Sequence, residues 1–151
     1  MAKETSQELV ALIKRLAALL HQNIDAKLKP YGLARTQYII LRNLYDAGTL
    51  PTGSLLEKLQ VEPATLSGLI DTLEAKGLVV RVEHVEDKRR KDVQLTDAGR
   101  VTVDTIPPPG PVMEQVLRQE VNPGDVHILK AVGQQMLKNL EQELQKQEGR
   151  H

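Results

Sequence analysis

The sequence of 151 residues contains no cysteine, no tryptophan and no phenylalanine, and it has only three tyrosines. Without cysteine, the chain can form no disulfide, use no thiol nucleophile and hold no metal through thiolates. So few aromatic rings argue against modules that bind single-stranded nucleic acid by base stacking. The N-terminus is polar and the longest apolar runs are about five residues, so neither a signal peptide nor a spanning helix is predicted. We therefore expect a cytoplasmic protein that does not associate with membranes.

No charge of one sign dominates, because 20 basic residues balance 20 acidic residues. Any attraction to nucleic acid must therefore come from a local patch. The chain also lacks a Ser/His/acid order, a phosphate-binding glycine loop and a His-rich pattern, so neither an enzyme nor a cofactor is predicted. His21 and Asp25 are one helical turn apart, but a lone pair is too few ligands for a predicted metal site.

The first apolar pattern has a helical period and predicts one long amphipathic helix over residues 5–28. Ser6 is its candidate N-cap, and Pro30 with Gly32 is expected to end it. A helix of this length needs a partner surface, because intrinsic propensity alone rarely stabilises it. Its apolar stripe comprises Leu9, Leu12, Ile13, Leu16, Leu20, Ile24 and Leu28.

Three shorter helices are predicted next, over residues 36–46, 53–59 and 63–76. Gly48 and Pro51 are expected to close the first of these, and Thr52 is a candidate cap for the second. Pro63 suits the first position of the third, and Gly77 is a typical helix stop. The pattern thus indicates helix, short helix, turn and helix.

The apolar period then changes to two, which predicts a β-hairpin. Leu78, Val80 and Val82 alternate with Val79, Arg81 and Glu83. After a charged loop over residues 85–91, Val93 and Leu95 alternate with polar residues. A further helix is predicted from Thr96 and Asp97 to Thr105, followed by a segment over residues 106–111 that contains a triple proline. We expect polyproline II there, then a short helix over 112–120.

The last predicted helix begins after Asn122, which is a good N-cap, with Pro123 at the first helical position. The polar residues 141–151 are expected to fray. Its apolar stripe comprises Leu129, Val132, Met136, Leu137, Leu140 and Leu144.

This order of elements is that of a winged helix-turn-helix, so the predicted fold is mainly α with a small β-hairpin. In that fold the second helix of the turn pair fits the DNA major groove, and the hairpin loop lies over the adjacent backbone or minor groove. The loop here holds Lys88, Arg89, Arg90 and Lys91, the longest run of one charge sign in the chain.

The segments 69–79, 87–90 and 95–99, together with Arg81, resemble the MarR (multiple antibiotic resistance regulator) family of transcription factors. The specific features are the Asp-x-Arg motif of the wing and the Leu-Thr-x-x-Gly motif that follows it. The resemblance implies a homodimer that binds double-stranded DNA as a repressor and is released by a small anionic or aromatic effector. It implies N-terminal and C-terminal dimerisation helices in regions 1–31 and 101–151, on either side of a winged helix-turn-helix over 32–100.

The resemblance also implies roles for single residues. Arg89 occupies the position of the wing arginine that reaches the minor groove, and Asp87 and Arg81 match residues that orient the wing. Further DNA contacts are expected from Thr65, Ser67, Gly68, Thr72, Lys88, Arg90 and Lys91. Gly68 and Thr72 stand where many relatives carry a basic residue. The residues of an effector site are not predicted.

An alternative function is a winged-helix scaffold for protein interaction or dimerisation, with weak or lost DNA binding. The net charge of zero and the acidic second helix of the turn pair favour this alternative. That helix carries Glu62, Asp71 and Glu74 against the single base Lys76.

Overall fold

A computed structural model describes residues 2–149, with side chains from residue 8 to residue 149. The chain divides into two compact units, Met1–Pro109 and Gly110–His151, and each is described by itself. The first contains α1 (Ala2–Leu28), a short 3-10 helix (Lys29–Tyr31), α2 (Arg35–Ala47), β1 (Thr49–Pro51), α3 (Thr52–Leu59), α4 (Pro63–Ala75), β2 (Val79–Glu83), β3 (Lys91–Leu95) and α5 (Asp97–Thr105). The second contains α6 (Pro109–Arg118), which begins at the boundary, and α7 (Pro123–Glu148).

The long first helix is confirmed, but its predicted start is wrong. Helix α1 begins at Ala2, so Ser6 lies inside the helix and is not its N-cap. Pro30 is accommodated in the 3-10 helix, and Gly32 ends that helix with a left-handed backbone (φ 66°). Only the C-terminal end of the apolar stripe is covered within this unit, since Leu28 is fully buried. The side chains of Leu9, Leu12, Ile13, Leu16 and Leu19 are exposed.

The core of the first unit lies among α2, α4, α5 and the sheet, as the helical periods predict. The fully buried side chains include Ile40, Leu41 and Leu44 on α2, Leu55 on α3, and Leu73 on α4. Burying a side chain of this size stabilises a fold by about 1.5–3 kcal/mol. These residues therefore fix the packing of the helix-turn-helix against α2.

The predicted hairpin is confirmed, but it belongs to a three-stranded antiparallel sheet of order β1-β3-β2. Strand β1 was not predicted, because Pro51 was assigned to the end of a helix. Leu50 instead lies opposite Val93, and Pro51 lies opposite Asp92. Proline is tolerated there because β1 is an edge strand. Pro51 also holds the N-cap position of α3, so Thr52 is the first residue of that helix and not its cap.

The predicted start of a helix at Thr96 and Asp97 is confirmed at the junction of the sheet with α5, where Thr96 is the N-cap. Its hydroxyl accepts the N–H of Gly99 at 3.0 Å and donates to the carbonyl of Gly77 at 2.6 Å. Gly99 is required there for space, because a Cβ at this position would lie 2.0 Å from the carbonyl oxygen of Leu78. The Leu-Thr-x-x-Gly motif is thus a packing device that joins α4, the sheet and α5.

In the second unit, helix α6 begins at Pro109, three residues before its predicted start at Val112. The predicted break is therefore shorter than residues 106–111, because a proline in the first turn of a helix loses no hydrogen bond. Asn122 is confirmed as the cap of α7, and its side chain accepts the N–H of Gly124 at 2.8 Å. Helix α7 continues to Glu148, so the predicted fraying is wrong for residues 141–148, and residues 150 and 151 lie outside the described residues.

The apolar stripe of α7 is not covered within its own unit. Leu129, Val132, Leu137, Leu140 and Leu144 are all exposed, and none of the described residues of this helix is buried. Within residues 2–149, none of the helices is both long enough and apolar enough to cross a membrane.

Candidate nucleic-acid interface

Helices α3 and α4 form the predicted helix-turn-helix. They are joined by a turn in which Gln60 adopts a left-handed backbone (φ 50°). Leu55 of α3 and Leu66, Ile70 and Leu73 of α4 are buried. One face of α4 is therefore fixed against the core, and the opposite face is free to meet a ligand.

The four predicted contact residues of α4 are all exposed. Thr65, Gly68 and Thr72 follow one another at steps of three and four, so they form one row along the helix, and Ser67 lies beside that row. The hydroxyl of Thr72 donates to the carbonyl of Gly68 at 2.8 Å. In the described part of the chain, a Cβ at Gly68 would contact nothing beyond its chain neighbours and the backbone of α4, so Gly68 leaves open space in this row.

Arg81 of β2 pairs with the acidic residues of α4. Its Nη2 atom lies 2.7 Å from Asp71 Oδ1, and its Nη1 atom pairs with Glu74 Oε2. The backbone N–H of Arg81 donates to Glu74 Oε1 at 2.9 Å. Two of the three acidic charges on or next to α4 are thus paired, which reduces the electrostatic repulsion that this helix would exert on a polyanion.

Asp87 organises the tip of the wing loop, which we define as residues 84–90 between β2 and β3. Its Oδ1 atom accepts the backbone N–H of Arg89 at 3.0 Å, and its carbonyl accepts the N–H of Arg90 at 2.9 Å. The carbonyl of Arg90 in turn accepts the N–H of His84 at 3.1 Å. These bonds form a tight turn, because an aspartate side chain that accepts from the second following N–H stabilises such turns.

The wing loop presents three exposed cations. Among the residues that the structure describes, Lys88, Arg89 and Arg90 form no salt bridge. Lys91, predicted to lie in the loop, is the first residue of β3, and its amine is 3.8 Å from Glu83 of β2. The basic surface is therefore centred on residues 88–90.

His84 and Asp92 form a polar contact at the base of the wing that the sequence did not predict. The His84 Nδ1 atom is 2.8 Å from Asp92 Oδ2, and Asp92 is only 7% exposed. Asp92 lies opposite Pro51 on one side and Val82 on the other, so it is on the central strand. The contact therefore holds the start of the wing loop against the middle of the sheet.

An open cavity of about 560 Å³ lies between the end of α1 and the start of α2. At its edge Arg35 Nε donates to Asp25 Oδ1 at 2.7 Å. Asp25 is thus paired with a cation, although the sequence had placed it beside His21 as a possible metal ligand. Within the described part of the chain, His, Asp and Glu form no cluster of three or more that could hold a metal. The cavity lining includes Ala26, Lys29, Gly32, Leu33, Ala34 and Thr36.

Comparisons with known proteins support this geometry. Residues 33–91 match the model of the MarR family. The repressor MdtR of Bacillus subtilis is 25% identical over 107 residues, which cover 68% of this chain and 69% of MdtR. The regulator SarZ of Staphylococcus epidermidis is 36% identical over 73 residues, and this match spans 48% of the chain and only 49% of SarZ.

The fold also resembles that of a regulator solved with DNA. The structure of the S. aureus MepR–DNA complex superposes with a TM-score of 0.77 and 28% sequence identity, over 86% of this chain and 96% of MepR. Over residues 33–91 and in its winged-helix fold, this chain is therefore similar to regulators of the MarR family.

Proposed function

We propose that the chain is a dimeric, sequence-specific DNA-binding transcriptional regulator that represses genes from a pseudo-palindromic operator. The observation that carries this proposal is the wing loop, where Lys88, Arg89 and Arg90 are exposed without salt bridges among the described residues. The loop lies beside a helix-turn-helix of a family whose member MepR has been solved with DNA, and MdtR is named a repressor.

In this mechanism α4 enters the major groove. The row formed by Thr65, Gly68 and Thr72, with Ser67 beside it, meets base edges and phosphates. The wing loop reaches the adjacent minor groove, where the negative potential attracts arginine. Arg89 enters the groove, and its position depends on the turn that Asp87 stabilises.

Dimerisation would place two copies of α4 about 34 Å apart, which is the distance between half-sites one helical turn apart. The exposed apolar residues of α1 and α7 supply the contact surface, since monomeric proteins rarely leave such large apolar patches in water. We place the dimerisation helices in regions 1–31 and 101–151, on either side of the DNA-binding region 32–100. A DNA-bound regulator also implies a cytoplasmic location.

We further propose that a small anionic or aromatic effector relieves repression. The dimer would exist in two conformations that differ in the spacing of the two α4 helices. Such a ligand releases DNA only if it binds the conformation with the wrong spacing more tightly than the DNA-binding conformation. The cavity beside α2 supports an anionic ligand, because Lys29 and Arg35 are both part of its lining. Asp25 already pairs with Arg35 there, so an incoming anion would compete with that carboxylate.

The structure weakens the motivation for a scaffold without DNA binding. That alternative was based on an acidic α4, and Arg81 pairs with both Asp71 and Glu74. The scaffold remains the outcome to be tested against the regulator.

The test is a selection of genomic fragments, from the genome that encodes the chain, with purified protein at near-physiological salt. The variant Arg89→Ala is run in parallel. Enrichment of a few palindromic sites that the variant fails to enrich supports the regulator. A folded dimer that enriches nothing, and that carries no co-purified small molecule by mass spectrometry, overturns the proposal in favour of the scaffold.

A further inference from the structure

Lys76 links the end of α4 to the junction between α1 and α2. Its amine donates to the carbonyl of Gly32 at 2.5 Å and to Gln37 Oε1 at 3.2 Å. Gly32 ends the 3-10 helix, and Gln37 is in the first turn of α2. A charged side chain at the end of one helix of the turn pair thus contacts a different part of the first unit, which is distant in sequence.

Both acceptors are held in place by other hydrogen bonds. Gln37 is 6% exposed, and its Oε1 atom also accepts the N–H of Ala34 at 3.1 Å, which caps α2. The N–H of Gly32 donates to the carbonyl of Lys29 at 3.0 Å. Because the acceptors are ordered, the amine of Lys76 meets a defined site and not a mobile surface.

Lys76 is also the residue at which α4 ends and the chain turns towards the wing. Its N–H donates to the carbonyl of Thr72 at 3.1 Å, and the next residue, Gly77, has a left-handed backbone (φ 70°). Leu78 then donates to the carbonyl of Leu73 at 3.0 Å before β2 begins. A constraint on Lys76 therefore acts on the orientation of α4 and on the start of the wing together.

Two cations therefore link α4 to its neighbours. Arg81 of β2 pairs with the acidic residues of α4, and Lys76 at the end of α4 contacts Gly32 and Gln37. A lysine amine has three donors and no acceptor, and in the described structure Lys76 directs two of its donors into the protein. The charge also lies at the C-terminal end of α4, where the helix dipole favours a cation. These contacts occupy Lys76 within the protein.

We propose that Lys76 is a positioning residue, which sets the orientation of α4 against α2 and thereby raises DNA affinity without touching DNA. This inference rests on the proposed function, because it needs α4 to be the DNA-reading helix. A residue that positions a helix and a residue that neutralises a phosphate differ in one measurable property. Only loss of the phosphate contact reduces the dependence of affinity on salt, by about 0.9 in the log–log slope.

The experiment compares wild-type protein with Lys76→Met on an operator fragment chosen by the wild type, at several salt concentrations. Methionine keeps most of the apolar stem and removes the donors. We expect affinity to fall about 3- to 30-fold with the slope unchanged. Lys138→Met on α7, an exposed lysine far along the chain from α4, is the control for the loss of one positive charge. Because α7 is a proposed dimerisation helix, sedimentation velocity must show that this variant is still a dimer before its affinity and slope are compared with those of the wild type.

Thermal unfolding shows whether each variant is folded, and Lys76→Gln is the second variant if the methionine variant is not. Glutamine keeps a neutral donor, so its affinity should lie between those of the methionine variant and the wild type. A slope reduced by about 0.9 identifies Lys76 as a phosphate contact and overturns the inference. Unchanged affinity in a folded variant overturns it as well. Failure of the wild type to bind any fragment instead contradicts the proposed function.

Discussion

The Nη2 atom of Arg81 lies 2.7 Å from Asp71 Oδ1, so the first strand of the wing pairs through opposite charges with α4, the proposed DNA-reading helix. The same guanidinium pairs with Glu74, and its Nη2 atom also donates to the carbonyl of Ser67 at 3.4 Å. The acidic residues of α4 are therefore part of the wing's support. In a helix that must approach DNA, they would otherwise oppose binding.

Removing this guanidinium should weaken both the fold and DNA binding. We expect Arg81→Met to lower the free energy of unfolding by about 1–2 kcal/mol, a value reduced from that of a buried pair because the side chain is 25% exposed. DNA affinity should fall further, because two unpaired carboxylates would face the phosphates. Chemical denaturation and DNA titration measure the two effects.

Arg81→Lys is the informative companion variant. A lysine retains the charge but cannot pair with two carboxylates as a planar guanidinium does. Its affinity and stability should lie between those of the wild type and Arg81→Met. Full recovery by lysine would show that charge alone, and not the geometry of the contact, is what matters.

Arg89 at the tip of the wing loop should contribute to binding and not to stability. Its exposed side chain forms no hydrogen bond or salt bridge with the described residues, so we expect Arg89→Ala to leave the melting temperature unchanged. DNA affinity should fall by about 1–3 kcal/mol. Glu86→Gln in the same loop is the control, and it should not weaken binding. Wild-type affinity in a folded Arg89→Ala protein would refute the role of this residue in the minor groove.

Two glycines on either side of the wing should respond in opposite ways to alanine. Gly99→Ala brings a Cβ to 2.0 Å from the carbonyl of Leu78, so we expect a loss of about 2 kcal/mol or more of folding stability. Gly68→Ala adds its methyl in open space inside a helix and should raise stability by about 0.5–1 kcal/mol. Equal effects of the two substitutions on denaturation curves would contradict the close packing at Gly99.

The exposed apolar face of α1 should stabilise the dimer. Leu12 is 55% exposed within the single chain, and Leu12→Glu would place a charge in the proposed contact. We expect the dimer dissociation constant to rise by about tenfold or more, measured by sedimentation velocity. Lys14→Glu, on the polar side of the same helix, should cause a much smaller change. A dimer that tolerates Leu12→Glu would have to use a different surface.

Tyr45 should respond to high pH through its contact with α5. Its hydroxyl donates to Asp104 Oδ1 at 2.5 Å, and this hydrogen bond raises the pKa of Tyr45 above its ordinary value of 10.0. The folded state therefore keeps the proton to higher pH than the unfolded chain does. The resulting stabilisation is fully present below about pH 10 and is lost as the pH rises through the folded pKa.

This pH dependence can be measured with two variants. The difference in unfolding free energy between the wild type and Tyr45→Phe should be constant up to about pH 10 and decrease above it. Asp104→Asn should lower the pH at which Tyr45 ionises, followed by ultraviolet absorbance. An unchanged titration in Asp104→Asn would assign the raised pKa to another cause.

Local patterns predicted most of the helices and the hairpin because each depends on contacts close in sequence. The starts of α5 at Thr96–Asp97 and of α7 after Asn122 could be predicted because a capping side chain and its N–H are within a few residues. Strand β1 has only three residues and ends in proline, and it exists because β3 lies beside it. Its partner is distant in sequence, so no local pattern could reveal it.

In the candidate interface, too, features that are local in sequence could be predicted and contacts between distant elements could not. The basic loop and the motif at Asp87 can be read from the sequence. The pairing of Arg81 with α4 and the contact of Lys76 with Gln37 cannot, because they join elements whose relative placement only the fold defines. Counting charges along α4 therefore indicated an acidic surface, although two of those charges are paired from a neighbouring strand.

Thr96 touches the end of α4 at Gly77 and, through its own N–H, the carbonyl of Leu78, which precedes β2. The two ends of the hairpin thus meet at one junction, while β3 also pairs with β1 and Arg81 also pairs with α4. Because both ends of the hairpin are fixed at this junction, the wing loop between the strands can change in length or composition without altering the spacing of α4 and α5. We therefore expect that the wing loop, residues 84–90, can be exchanged between related proteins while the two strands and the rest of the domain are kept.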